Sequence, residues 1–277
     1  MNDNADQAEF WGDVAGREWV QHADVMDTLL APVLDAVLTR ADLEEGHQVL
    51  DIGCGTGISA LAAADLVGKT GHVLGADISP RMLELARTRA AGKSQIDFIA
   101  ADVSTHNFNA GQFDRVISRF GVMFFDDSSA AFSNVAKAMK PGAQLSMGCW
   151  GQIWGNPYFT MPAGIAKDVL GPVPKTDPDA PGPFAFRDPE RVESILHAAS
   201  LTNIRTDTQS LHLPMPGDAQ TMAHLYCSIG PAERALVHHG ADAAARAELE
   251  KALTEALLPF EASGFPAEIH FYTADAR

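Results

Sequence analysis

Val49-Leu50-Asp51-Ile52-Gly53-Cys54-Gly55-Thr56-Gly57 decides how this chain folds. A short apolar run ends in an acid and then passes into glycines at alternate positions. An apolar strand, a glycine-rich turn and a helix, in that order, let a nucleotide-like ligand approach backbone N–H groups. Glycine has no Cβ, so such a turn can be tight and open to the ligand. The spacing narrows the ligand. A dinucleotide turn, G-x-G-x-x-G, needs its third glycine at position 58, where Ile58 stands. The pattern here is G-x-G-x-G behind an acid.

Outward from this turn the chain alternates between strand and helix patterns. Leu61, Leu66 and the alanines between them predict a helix ending near Gly68. His72 to Ile78 reads as a buried strand, and Ser79-Pro80 opens the next helix with an N-cap and a first-turn proline. Met82, Leu83, Leu85 and Ala86 give that helix its apolar face, and Gly92 suits its end. Ile96 to Asp102 and Phe113 to Arg119 read as strands. Phe132, Val135, Ala136 and Met139 form a helical stripe that Pro141-Gly142 would stop, with Gln144 to Trp150 as the fifth strand. Alternation at this spacing implies parallel β-α-β units with right-handed crossovers.

Ahead of the turn, Val25, Met26, Leu29, Leu30, Val33 and Val37 describe one apolar helical face. Behind it, 171–183 is a proline- and glycine-rich loop, and Asp188-Pro189 caps a helix running to Ala199. Residues 203–213 alternate as a strand does. Residues 217–260 read as helical, with Leu249, Leu253 and Leu257 on one face, and 267–273 as a last strand.

Bulk properties remove several classes. The 277 residues are 46% hydrophobic, which suits a folded globular chain. The formal net charge of −16 repels phosphate backbones and anionic membranes, so neither nucleic acid nor membrane insertion is expected. The polar, acidic start of the sequence lacks the pattern of a signal peptide. Scattered Cys54, Cys149 and Cys227 fit free thiols in a cytoplasmic protein better than a disulfide framework.

Taken together, Gln48 to Trp150 resembles the class I S-adenosylmethionine (SAM)-dependent methyltransferases, and most of all the small-molecule group that includes the ubiquinone/menaquinone C-methyltransferases. The resemblance implies a Rossmann-like α/β fold, a mostly parallel seven-stranded sheet flanked by helices. It implies an N-terminal helical lid over 1–45, a SAM-binding core over 46–150, and the rest of the sheet over 151–277 with a substrate-binding helical insertion at about 214–264. SAM would be the cofactor and S-adenosylhomocysteine its product. VLDIGCGTG, with Asp51, Gly53, Gly55 and Gly57, would hold the amino-acid end. Asp77 would bind the ribose hydroxyls, a task that suits a carboxylate because it accepts two hydrogen bonds at once. Ile78 and Met82 would flank the adenine, and Asp102 and Val103 would contact its edge. Ser118 and Arg119 would pass under the sulfonium. Phe10-Trp11 and Gly16-Arg17-Glu18-Trp19 resemble lids of relatives, which makes Trp19 a cofactor contact.

Other candidates follow from placement. Ligand crevices of α/β sheets lie beyond the carboxyl ends of the strands. Phe120, Met123, Trp150, Trp154 and Tyr158 follow strands four and five, so they are candidates for an apolar acceptor pocket. Phe124 and Phe125 suit core packing equally. A general base for methyl transfer could come from His22, Tyr158, His224 or His270, and the sequence does not choose among them. No metal is expected. Asp126-Asp127 reads as helix N-terminal acids, and His238-His239 sits in no zinc-binding frame. The expected activity is methylation of a small apolar or aromatic metabolite at carbon or oxygen. Transfer to a small thiol or amine, SAM binding without catalysis, and an NAD-dependent oxidoreductase are the competing readings. A homodimer is compatible with the sequence.

Overall fold

The structure, a computed structural model, describes residues 5–277. The first four positions of the expected lid lie outside the described residues. The described elements are α1 (Ala5–Gly12), α2 (Val14–Gln21), α3 (Ala23–Leu29), α4 (Ala31–Ala41), β1 (Gln48–Ile52), α5 (Ile58–Val67), β2 (His72–Asp77), α6 (Pro80–Arg89), β3 (Ile96–Ala100) and β4 (Phe113–Arg119). They continue with α7 (Ser128–Ala138), β5 (Met139–Trp150), α8 (Pro157–Leu170), α9 (Pro189–Ala198), β6 (Thr202–Leu213), α10 (Ala219–Tyr226), α11 (Pro231–His238), α12 (Ala243–Leu257) and β7 (Phe265–Asp275).

The strands form one seven-stranded sheet in the order β3-β2-β1-β4-β5-β7-β6. Pairings from β3 through β5 are parallel, and β7 runs antiparallel between β5 and β6. The order reverses at β1 and β4, where one crossover leaves to each side. That reversal opens a crevice at the strands' carboxyl ends, the usual ligand position in open α/β sheets. The expected fold class is the one observed.

Local chemistry explains the elements. Val49, Leu50, Asp51 and Ile52 are all buried, as befits a central strand covered on both faces. Ser79 caps α6, its Oγ accepting from Met82 N at 3.3 Å, and Pro80 occupies the first turn. Asp127 caps α7 by accepting from Ala130 N at 2.9 Å, so this acid is a helix cap, as its position predicted.

Three element boundaries differ from expectation. The apolar face before β1 is split between α3 and α4 at Leu30, because Pro32 in the first turn of α4 has no N–H to continue a helix. Helix α7 stops at Ala138, ahead of Pro141-Gly142. Met139 is already paired with Phe113 of β4, and Pro141-Gly142 sit in a register irregularity of β5 where Gly142 has φ +77°. Strand β3 ends at Ala100, which leaves Asp102 in the loop beyond it.

Candidate active site

The crevice floor is made of two glycines set back to back. A Cβ on Gly53, in the turn after β1, would lie 2.6 Å from the Cα of Gly121. A Cβ on Gly121, in the turn after β4, would lie 2.6 Å from the Ile52 carbonyl oxygen. Neither contact leaves room for a methyl group. Phe120, just before Gly121, adopts φ +69°, a left-handed backbone that bulky residues rarely take. The remaining glycines of the turn have different tasks. Gly55, at φ +54°, has open space where a side chain would project, so its backbone faces the crevice. Gly57 lets α5 approach α6, since a Cβ there would meet that of Ala86 at 2.8 Å.

A cavity opens above this floor. It is lined by Gly53, Cys54, Gly55 and Thr56 of the turn, by Asp77, Ile78 and Met82, by Asp102 and Val103, and by Arg119, Phe120 and Gly121. The N-terminal helices close it with Gln7, Trp11, Trp19 and Leu30, and Phe124 and Phe125 complete the wall. Trp11 meets Trp19 and Phe124 edge to face, with ring centroids at 5.9 and 5.2 Å. The Ser79 hydroxyl donates to the Trp11 carbonyl at 2.8 Å and ties α1 to the turn after β2. Gly16 permits this closeness, because a Cβ there would strike the same carbonyl.

Asp77 is rigidly held. Its Oδ2 accepts from Gly55 N and its Oδ1 from Ser79 N, each at 2.8 Å. Burial raises its pKa, opposed by these N–H groups and that of Ile78. Asp102 accepts from the N–H and the hydroxyl of Ser104 at 2.9 and 2.7 Å.

Beneath the turn lies a charged cluster. Asp51 is fully buried, its Oδ2 accepting from Ser59 Oγ at 2.5 Å while Oδ1 has no partner. Burial pushes its pKa up to about 7, against the Ser59 hydrogen bond and the Arg119 charge. Arg119 lies 3.5 Å from Asp27 of α3 through Nη2, and its buried Nη1 has no partner. Burial lowers its pKa, opposed by Asp27 and Asp51. Arg89 of α6 bonds Asp27 at 2.8 Å, Asp24 at 2.6 Å and the Thr56 hydroxyl at 3.0 Å. One cluster thus joins the lid, the glycine turn, α6 and the end of β4.

Nine expected cofactor residues line the cavity: Trp19, Gly53, Gly55, Asp77, Ile78, Met82, Asp102, Val103 and Arg119. Three do not. Asp51 lies below the turn, Gly57 packs on α6, and the Ser118 hydroxyl is spent on the Ile52 carbonyl at 2.8 Å.

The expected acceptor pocket is corrected more heavily. Phe120 faces the cavity, whereas Met123 is buried in the core. Trp150 is stacked between Phe120 and Tyr158, with centroids at 4.5 and 5.9 Å, so both of its faces are covered. The Tyr158 hydroxyl is buried, near Met26 Sδ. Trp154 is 74% exposed on the outside of the molecule. Phe124, Phe125 and Trp11 take the places these were expected to fill. The signal for Phe124 and Phe125 was their position just after β4, which core packing explained equally well.

The expected bases are elsewhere too. His270 is a satisfied sheet residue, bonded to Thr208 Oγ1 at 2.9 Å and to the Arg187 carbonyl at 3.1 Å. His22 and His224 face each other, 5.9 Å apart, in a separate groove between the lid and α10. The insertion α10–α12 packs on itself and on α8, with Leu249, Leu253 and Leu257 turned inward, and adds no residue to the cavity wall. Among the described residues no group of three or more His, Cys, Asp or Glu could hold a metal ion. No described helix is long and apolar enough to cross a membrane.

Comparison with known proteins follows the same lines. Residues 49–142 match a family described as a methyltransferase domain. The aklanonic acid methyltransferase DauC of Streptomyces sp. (strain C5) is 38% identical over 103 residues, 36% of this chain and 47% of that protein. Phosphoethanolamine N-methyltransferase 1 of Triticum aestivum is 34% identical over 129 residues, 46% of this chain and 26% of that protein. The chain therefore spans between a quarter and a half of the length of these relatives. A solved phosphoethanolamine N-methyltransferase 2 of Haemonchus contortus, in complex with S-adenosyl-L-methionine, shares the fold with a TM-score of 0.55 at 18% identity. It is matched over 88% of this chain and 52% of its own.

The chain carries the methyltransferase domain of a SAM-dependent enzyme, in the Rossmann-like fold of that class. Its cofactor is SAM.

Proposed function

We propose that this protein transfers the methyl group of SAM to a small apolar or aromatic acceptor, at carbon or oxygen, in the manner of enzymes that methylate quinone-like metabolites. The observation that carries this reading is the shape and chemistry of the one cavity at the sheet's reversal: polar at the glycine turn, aromatic beneath the lid. The buried atoms left without partners fit the amino-acid end of the cofactor. Asp51 Oδ1 suits an ammonium and Arg119 Nη1 a carboxylate. Asp77 would take the ribose hydroxyls, Ile78 and Met82 the faces of the adenine, and Asp102 and Val103 its edge.

When bound, SAM supplies a methyl group already activated on a positively charged sulfur. The protein's own work is then to position and to exclude water. The Gly53–Gly121 contact fixes the floor, the Asp77 carboxylate is pre-aimed by two N–H groups, and Trp11, Trp19 and Phe124 keep the space dry. Domain roles follow: 1–45 covers, 46–150 binds cofactor, and 151–277 buttresses the sheet and the aromatic stack behind Phe120.

Titration calorimetry with SAM, S-adenosylhomocysteine and NADH tests the reading, alongside Asp77→Ala. Micromolar binding of the first two, lost in a variant that still unfolds cooperatively, is the expected result. Binding of NADH without SAM would overturn it.

A further inference from the structure

The aromatic half of the cavity holds, among the described residues, no group able to take a proton. Its walls are Trp11, Trp19, Leu30, Phe120, Phe124 and Phe125. The ionisable lining groups all belong to the turn side. Asp77 is held by two N–H groups, Asp102 by Ser104, and Arg119 by Asp27. The Cys54 thiol is buried, with its pKa pushed up by that burial and by Asp77 and Asp51. On the lid side Gln7 offers a buried Oε1 with no partner. An amide accepts a hydrogen bond but is not a base at neutral pH. A general base must come within hydrogen-bond reach of the proton it removes, and His22, Tyr158, His224 and His270 all lie outside this lining.

Anchoring charge is missing from the aromatic half as well. Arg119 is the sole Lys or Arg among the described lining residues, and Asp27 and Asp51 already surround it. A phosphate or second carboxylate brought into an apolar space without a cation pays a large desolvation cost.

We infer that the acceptor brings its own nucleophile: a small apolar or aromatic thiol, acidic phenol or enolised 1,3-dicarbonyl compound that ionises in water and carries no phosphate or carboxylate. This rests on the methyltransferase reading of the same cavity. The acceptor leaves its proton with solvent before it enters. Its lone pair forms the bond to the methyl carbon while the carbon–sulfur bond breaks, and that electron pair remains on sulfur as the neutral thioether of S-adenosylhomocysteine. Gln7 Oε1 receives a neighbouring N–H or O–H of the acceptor and orients it.

The test uses aryl thiols and phenols of one outline but graded acidity, with phosphoethanolamine as the contrasting acceptor. Transfer is followed against pH, and binding to the protein saturated with S-adenosylhomocysteine is followed by tryptophan fluorescence from Trp11 and Trp19. The expected kcat/KM rises about tenfold per pH unit up to each acceptor's own pKa and then levels, so the inflection moves with the acceptor. Fluorescence titration follows the same ionisation. An inflection at one fixed pH for every acceptor would reveal a protein base and overturn the inference. Turnover of phosphoethanolamine would do the same, as would no transfer to any thiol or phenol by protein that binds S-adenosylhomocysteine. Failure to bind S-adenosylhomocysteine at all is a different result, and it removes the underlying methyltransferase reading.

Discussion

Gly121 shows how much a single hydrogen can matter. A Cβ there would lie 2.6 Å from the Ile52 carbonyl and 2.7 Å from the Gly53 Cα, and both are backbone atoms that cannot swing aside. Gly121→Ala is therefore expected to cost about 1–3 kcal/mol in urea unfolding and to weaken S-adenosylhomocysteine binding at the same time. Asp51 carries a pH signature. Its folded pKa of about 7 lies above the unfolded value, so folding takes up a proton between them. Its contribution to stability is greatest below the unfolded pKa and is lost as pH rises towards 7. Unfolding measured from pH 4 to 7 should show that slope in the parent and not in Asp51→Asn. A bound ammonium would hold Asp51 ionised, so S-adenosylhomocysteine should bind more tightly as pH rises from 6 to 8, releasing a proton that calorimetry in two buffers detects. Asp51, Asp77 and the glycines were legible in the sequence because their type and spacing are demanded by backbone geometry. Gly121 was not legible as a site residue, because its constraint comes from a strand 68 positions away in the chain.

At the level of elements, the lid is fastened at two points. Ser79 caps α6 and also grips the Trp11 carbonyl, so Ser79→Ala should cost about 1 kcal/mol and speed hydrogen exchange in α1 as well as at the start of α6. Asp27 bridges Arg89 and Arg119, and all three side chains are largely buried. Asp27→Asn leaves two guanidinium groups short of a counter-charge, with an expected loss of about 2–4 kcal/mol in thermal or urea unfolding. The same variant should loosen α2 and α3 by hydrogen exchange more than α8 or α9. Periodicity located the parallel strands and the capped helices, since each carries its own pattern and stop signal. It failed where tertiary pairing overrides local signals. Met139 belongs to β5 through its partner Phe113, and the apolar faces of α10–α12 are spent on one another and α8. Trp150 and Tyr158 are aromatic residues just past a strand end, yet their rings are spent on a stack that supports Phe120 from behind.

Across the whole molecule, 36 acidic residues face 20 lysines and arginines. Like charges at this excess repel within a compact body and are screened by salt. The unfolding temperature should rise as sodium chloride is increased from low concentration to a few hundred millimolar, whereas a chain stabilised chiefly by surface ion pairs would lose stability.

The placing of β7 has a consequence for biosynthesis. It is the last element in the chain, and it is the strand that joins β6 to the rest of the sheet. A nascent polypeptide made only as far as α12 has β1 to β5 ready to associate, while one edge of β5 and the whole of β6 lack their neighbour. Those edges are sticky, and they stay open through the time a ribosome needs to add the helical insertion. The insertion thus acts as a delay built into translation, and this protein should depend on chaperone capacity during synthesis more than a fold whose final strand is added at a sheet edge.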